Sequence, residues 1–374
     1  MPDETASSEP WWDDGGVLMH IGPHKTGTTA LQHSLAAARP KLAAQSILYP
    51  GTAANHYQAT RQRVDGSPEL WQQLIAEIVE SDQPAIISSE YLDRADRQLA
   101  PELVAELGGP VRILITLRPL ATIIPSLWQQ HVKCGTAAEL APWTDDLFRS
   151  GRDHVSWQSV DHLALIQLWQ EVVGEDRVVI LVPDPRDPDI LLRGFERAAG
   201  ISSGTLVTPD RANRSMTGPE SDLALALNRR AADLGITAKQ QIQWVRRGVY
   251  ARIIEERQPL PDEAKLALPE SVRGEVERRQ RDVVELLRSS RSQVIGDPEL
   301  LWRGTGPDSP AAPESELIPV DLAAGMLAAL LGRSLDREEE QQRKIDRLRG
   351  KVQKLKERQP ATSKRARRFL RLER

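Results

Sequence analysis

The sequence predicts an α/β protein: a parallel β-sheet flanked by helices with a P-loop-like anion-binding loop, then a mainly helical C-terminal region and a short coiled coil. Three observations predict it. Short, continuously apolar runs alternate with helically spaced segments through the first half, as in parallel strands buried on both faces. A strand, a glycine-bounded loop and a helix follow one another over residues 17–35. The second half is mainly helical in its spacing.

Val17–Gly22 is the first strand, and Ala30–Leu35 opens a helix after the loop. Residues 46–50 read as a second strand. Leu70, Leu74, Ile78 and Val79 give a helix over 68–81, and a strand follows at 84–89. The helix at 101–107 stops at Gly108-Gly109-Pro110. Then come a strand at 112–117, helices at 120–133 and 162–173, and a strand at 177–182. Beyond Pro219, helices are predicted at 223–234, 240–256 and 272–287. Gly304 to Pro313 is a Pro- and Gly-rich linker. Ile345, Leu348, Val352 and Leu355 are spaced 3, 4, 3, the a/d seam of a short coiled coil at 335–358 that would support a homodimer. The resulting division is a disordered tail (1–16), an α/β core (17–215), a helical extension (216–331), the coiled coil and a basic tail (359–374).

The chain has 374 residues, enough for one large core or two modest ones. Its single cysteine, Cys134, excludes an internal disulfide framework and any cysteine-based metal cluster. No His/Cys/Asp/Glu grouping has metal-ligand spacing, so no metal is expected. Residues 1–16 are acidic and lack a basic n-region, so they are not read as a signal peptide. The longest apolar stretch, Leu322 to Leu331, is too short to cross a bilayer, which needs about 20 residues. A soluble, cytoplasmic protein is expected. From Arg333 onward there are 16 Lys and Arg against 7 Asp and Glu, so this end carries +9 and the rest −13. The basic Lys364–Arg371 run suits a solvated end, peripheral contact with an anionic membrane or an acidic partner. With an acidic body and no nucleic-acid-binding signature, no nucleic-acid partner is expected.

The chemistry concentrates at Gly22-Pro23-His24-Lys25-Thr26-Gly27-Thr28-Thr29. Gly22 and Gly27 keep the glycine spacing of a Walker A loop, G-x-x-x-x-G-K-[ST], but Thr28 stands in the lysine position and Lys25 lies inside the loop. Backbone N–H groups there and the positive end of the following helix dipole can converge on one anion. The competing reading is a surface turn with an ordinary cap at Thr28 or Thr29.

Lys25-Thr26-Gly27-Thr28-Thr29 resembles the 5′-phosphosulfate loop of the sulfotransferases that use 3′-phosphoadenosine 5′-phosphosulfate (PAPS). A second element is similar too: the strand Val111–Leu117 ends in Arg118, with Ser126 eight residues later. The resemblance covers roughly residues 17–215. It implies that Lys25 neutralises the leaving phosphate, that Thr26, Gly27, Thr28 and Thr29 hold the 5′-phosphate, and that Arg118 and Ser126 hold the 3′-phosphate. His24 lines the substrate mouth or touches phosphate, and Arg214 is a further cofactor contact. Pro119 stands where the family often has a second basic residue, and the R-K-G and G-D-W elements of cytosolic members are missing. For the proton acceptor, Glu90 after the strand at 84–89 and His56 are rivals. The acceptor itself would be a hydroxyl, less readily an amine, of a carbohydrate, glycolipid or small metabolite, with the helical extension completing its site. The alternatives are a non-catalytic nucleotide-binding or scaffold protein on a degenerate sulfotransferase fold, and a P-loop nucleotide kinase.

Overall fold

A computed structural model describes residues 16–184, 186–187, 189–208, 214–260, 263–303 and 318–358, the last with side chains to 354. The expected 1–16 tail (but for Gly16), the 304–313 linker and the 359–374 tail thus lie outside the described residues, as does the side chain of Leu355.

The chain is α/β. Five parallel strands, β1 (Val17–Ile21), β2 (Ala85–Ser88), β3 (Val111–Thr116), β4 (Val178–Val182) and β5 (Gln293–Gly296), lie in the order β2-β1-β3-β4-β5. β1, β2 and β4 are buried along their whole length, as a sheet covered on both faces requires. Val17, Met19 and Ile21 pack on one side with Trp71, Leu103 and Trp169. Leu18 packs on the other with Leu31, Leu35 and Phe195. A third cluster joins the helix Leu120–Lys133 to the helical second half through Trp128, Trp143, Val249 and Val276. Trp128, Trp143, Trp157 and Trp169 are all buried core residues.

Two expectations change. The segment 46–50 is not a strand; only Leu48 bridges to Ala85. Pro50 has no N–H to continue a ladder, and Gly51 turns the chain with φ 69. The sheet is also not finished by residue 215, because β5 comes from the segment expected to be helical and pairs with β4 from Val179↔Gln293 onward. Elsewhere the helices Glu69–Ser81, Leu120–Lys133 and His162–Val173 fall where their spacing placed them. The helix expected over 240–256 is widened to π-helical turns at Gln241–Tyr250. The seam at 345–352 belongs to a 39-residue helix, Val320–Arg358, that starts against the body. No helix among the described residues is long and apolar enough to cross a membrane.

Candidate active site

β1 ends beneath the loop at the carboxyl edge of the sheet, where open α/β sheets bind ligands. The loop is wound tightly. A Cβ on Gly22 would lie 2.2 Å from Thr28 Cγ2, so only glycine fits there. Lys25 itself holds φ 74, a left-handed conformation that costs a lysine about 1–2 kcal/mol. Surrounding bonds enforce it. The Thr26 N–H and hydroxyl both donate to the Pro23 carbonyl, at 3.3 and 2.9 Å. Arg118 Nη1 donates to the Lys25 carbonyl at 3.0 Å. Thr26 is buried, and its hydroxyl serves the loop rather than a ligand. The helix that follows, Thr28–Ala37, has Gly27 as its cap, no side-chain cap bond and no acid in its first turn. Its leading N–H groups are therefore left for an anion. The Thr28 side chain is buried, whereas Thr29 is exposed.

Lys25 is half-buried and donates from Nζ to Gln130 Oε1 at 3.1 Å. Burial lowers its pKa, while the Glu90 carboxylate pulls it back up. Gln130 belongs to the helix Leu120–Lys133, where Ser126, Gln130 and Lys133 recur at four and three residues and share a face. The half-buried Ser126 hydroxyl makes no hydrogen bond among the described residues. The structure thus brings the loop, Arg118 and the Ser126 helix together. Burial also lowers the pKa of Arg118, but a guanidinium stays charged.

Glu90 begins a 3₁₀ turn, Glu90–Arg94, which Ser89 caps and joins to β2. Its Oε2 accepts from Gln32 Nε2 at 3.3 Å, and the same amide reaches Ser88 Oγ at 3.3 Å. Asn55 Nδ2 donates to Gln32 Oε1 at 3.2 Å. Beneath them the His20 ring pairs Nδ1 with Ser88 Oγ at 2.8 Å and Nε2 with Thr116 Oγ1 at 2.9 Å. Burial pushes His20 down to about 3, so the imidazole is neutral and this polar row across β2, β1 and β3 carries no charge of its own. Sequence reasoning missed Gln32 as the residue that orients Glu90. The only sequence signal was polar residues, Ser88, His20 and Thr116, near the ends of otherwise apolar strands.

Two expected site residues, His56 and Arg214, take other parts. His56 is buried; its Nδ1 accepts the Ser88 N–H and its Nε2 donates to the Pro50 carbonyl, both at 2.9 Å. With both nitrogens engaged and burial taking it to about 4, His56 ties the 50–56 segment to β2 and is not presented to an acceptor. Arg214 grips Glu220 through two bonds of 2.6 and 2.7 Å and also donates to the Ile253 and Arg257 carbonyls. It is consumed in the helical half and is not free for a cofactor. His24 is half-buried, and burial followed by the charges of Arg94, Lys25 and His131 lowers it to about 4. It is therefore a neutral imidazole, which still keeps one N–H to donate. Among the described residues no group of three His, Cys, Asp or Glu could hold a metal ion.

No family model matches the chain, and no curated protein matches it. Among solved structures it is similar to a sulfotransferase from Alicyclobacillus acidocaldarius, with 15% identity and a TM-score of 0.36, over 60% of this chain and 97% of that one. At that distance the likeness carries no argument about chemistry.

Proposed function

We propose that the protein is a sulfotransferase that moves a sulfuryl group from PAPS to a hydroxyl of a carbohydrate, glycolipid or small metabolite. One observation carries this reading: Lys25, strained in the loop before a helix that has no side-chain cap, accepts from Arg118 through its own carbonyl, so two anion-binding elements share one edge of the sheet. The residues fit the co-substrate. The helix terminus and Lys25 suit the 5′-phosphosulfate, and the remaining donors of Arg118 with the unspent Ser126 hydroxyl suit the 3′-phosphate. PAPS supplies the activated sulfuryl group, whose bond to the phosphate oxygen breaks as a bond to the acceptor oxygen forms. Lys25 offsets charge developing on the departing phosphate, and Glu90, held by Gln32, takes the acceptor proton. The Thr28 substitution at the Walker lysine position disfavours an ATP-dependent kinase.

A thermal-shift comparison tests it. Ligand at a hundredfold excess over Kd stabilises the folded state by about 2.7 kcal/mol. That gain is expected with 3′,5′-adenosine bisphosphate; a gain with ATP and magnesium alone overturns the assignment. Peripheral membrane contact through the basic tail is a separate proposal, checked by deleting residues 364–374 and measuring sedimentation with anionic vesicles.

A further inference from the structure

Beside the proposed transfer site, at the far end of the Ser126 helix, two cations act on each other's charge, and neither makes an ion pair among the described residues. Lys133 follows Gln130, the Lys25 partner, by three residues, a rise of about 4.5 Å along the helix. It is half-buried and makes no hydrogen bond or ion pair among the described residues. Arg246, from the π-helical segment, points at the same helix end and touches Cys134 Sγ at 3.6 Å. It too lacks an acidic partner there.

The fold holds this pair in place. Asn228 donates to the Val132 and Thr136 carbonyls at 2.7 and 2.9 Å, which occupies carbonyls at the negative end of that helix. Gln241 donates to Asn228 Oδ1 at 2.6 Å, and its side chain packs over Gly135, where φ is 107 and a Cβ would sit 3.0 Å from Gln241 Cγ. The π-helical segment is therefore clamped onto the end of the helix that carries Lys133. Burial, then the charges of Lys25, Arg246 and Arg214, lower Lys133 to about 8, against a smaller upward pull from Glu220. Glu220 is bonded to Arg214 and Arg257, so it forms no ion pair with Lys133 and its charge offsets that of Lys133 only in part. Cations brought together unpaired repel one another, and an anion from outside would reverse that cost.

We infer that Lys133 and Arg246 form an acceptor subsite for an anionic group, so that the acceptor is a hydroxyl compound already bearing a carboxylate, phosphate or sulfate. This rests on the sulfotransferase reading and adds the class of its substrate. Because Lys133 stands one helical turn from Gln130, the partner of Lys25, the charged group and the reacting hydroxyl should lie close together, as on a single sugar ring or a compact hydroxy acid.

The test uses the full chain, PAPS labelled in its sulfuryl group, and an extract of the producing cell divided on an anion exchanger into retained and unretained fractions. The wild type is expected to label the retained, anionic fraction. Arg246 is exposed, so Arg246→Glu should fold, still be stabilised by 3′,5′-adenosine bisphosphate, and label that fraction at least about tenfold less. Arg246→Lys should recover part of the loss. Label entering the unretained fraction instead, or Arg246→Glu matching the wild type, overturns the subsite while leaving the cofactor reading intact. Absence of stabilisation by 3′,5′-adenosine bisphosphate in the wild type removes the cofactor reading, and the subsite with it. Alkaline phosphatase or esterification of the retained fraction, each before labelling, separates phosphate from carboxylate as the group recognised.

Discussion

Lys25 combines a backbone penalty with a charge that burial disfavours, and neither is needed to build the strand or the helix it joins. Glycine accepts φ 74 without strain, so Lys25→Gly should relieve about 1 kcal/mol and leave the melting temperature no lower than that of the wild type. If Lys25 meets the developing phosphate charge, the same change should cut the single-turnover transfer rate by about 10²–10³. Loss of rate without loss of stability is the signature sought. Unchanged turnover in a well-folded Lys25→Gly variant would remove the lysine from the chemistry. Much of this residue-level picture was legible in the sequence, because a strand, two glycines, a lysine and a helix start lie within thirteen consecutive residues. Glu90 was legible for a similar reason: it directly follows an apolar run. Gln32 was not, because its value comes from crossing to Ser88 and Glu90, 56 and 58 residues away. Arg214 misled because Glu220, the N3 residue of a capping box closed by Thr217, had a nearer claim on it.

At the scale of elements, the loop and the helix after it act as one unit, held by a contact between Gly22 and the Thr28 methyl. Gly22 has no positive φ to explain its identity, so the constraint is steric rather than conformational. Gly22→Ala should push the Thr28 turn away and weaken 3′,5′-adenosine bisphosphate binding by about tenfold or more, as over-packing of about 1–3 kcal/mol implies. Adding Thr28→Ser removes the clashing methyl and should restore part of the affinity, a coupling readable by calorimetry of the four variants in a cycle. Additive effects would show that the close approach is not what matters. The strands were read correctly where they are mainly apolar and buried, as in β1, β3 and β4. β5 was missed because only Ile295 of its four residues is buried, so an edge strand of this kind leaves almost no hydrophobic trace. The bridge at Leu48 is the converse case: Ile47 and Tyr49 are buried, yet Pro50 stops a ladder from forming.

For the whole molecule, burial of uncharged imidazoles sets a dependence on acid. His20 is held near 3, and His24, His56 and His162 near 4, each chiefly by burial, against an ordinary value of 6.5. The unfolded chain binds these protons first, so their contribution is complete above pH 6.5 and is lost as pH falls towards 4. Asp93, raised to about 7 by burial, works in the other sense, favouring the folded state at low pH and losing that as pH rises through 7. His131 and His154 are lowered as well and Asp222 is raised, so six groups against two leave a net fall, at about 1.4 kcal/mol per unit for each proton, and melting temperature should drop steadily between pH 6.5 and 4. A flat profile would mean the rings are charged or solvated. The long helix carries the remaining expectation, a homodimer through its seam. Ile345, Leu348 and Val352 are exposed in the single chain, at 43%, 51% and 50%, which invites a partner. The positions flanking that seam are Lys344, Arg349 and Lys351, so in a parallel pair each chain would set cation against cation. Apolar contact then favours pairing while charge opposes it, and salt decides the balance. Raising ionic strength from about 0.1 to about 1 M shortens the Debye length from about 10 to about 3 Å. Sedimentation should show a monomer shifting towards dimer over that range, the reverse of a seam held by ion pairs. A dimer that salt dissociates would place acidic groups across the contact, and a monomer throughout would show that this helix does not meet its own copy.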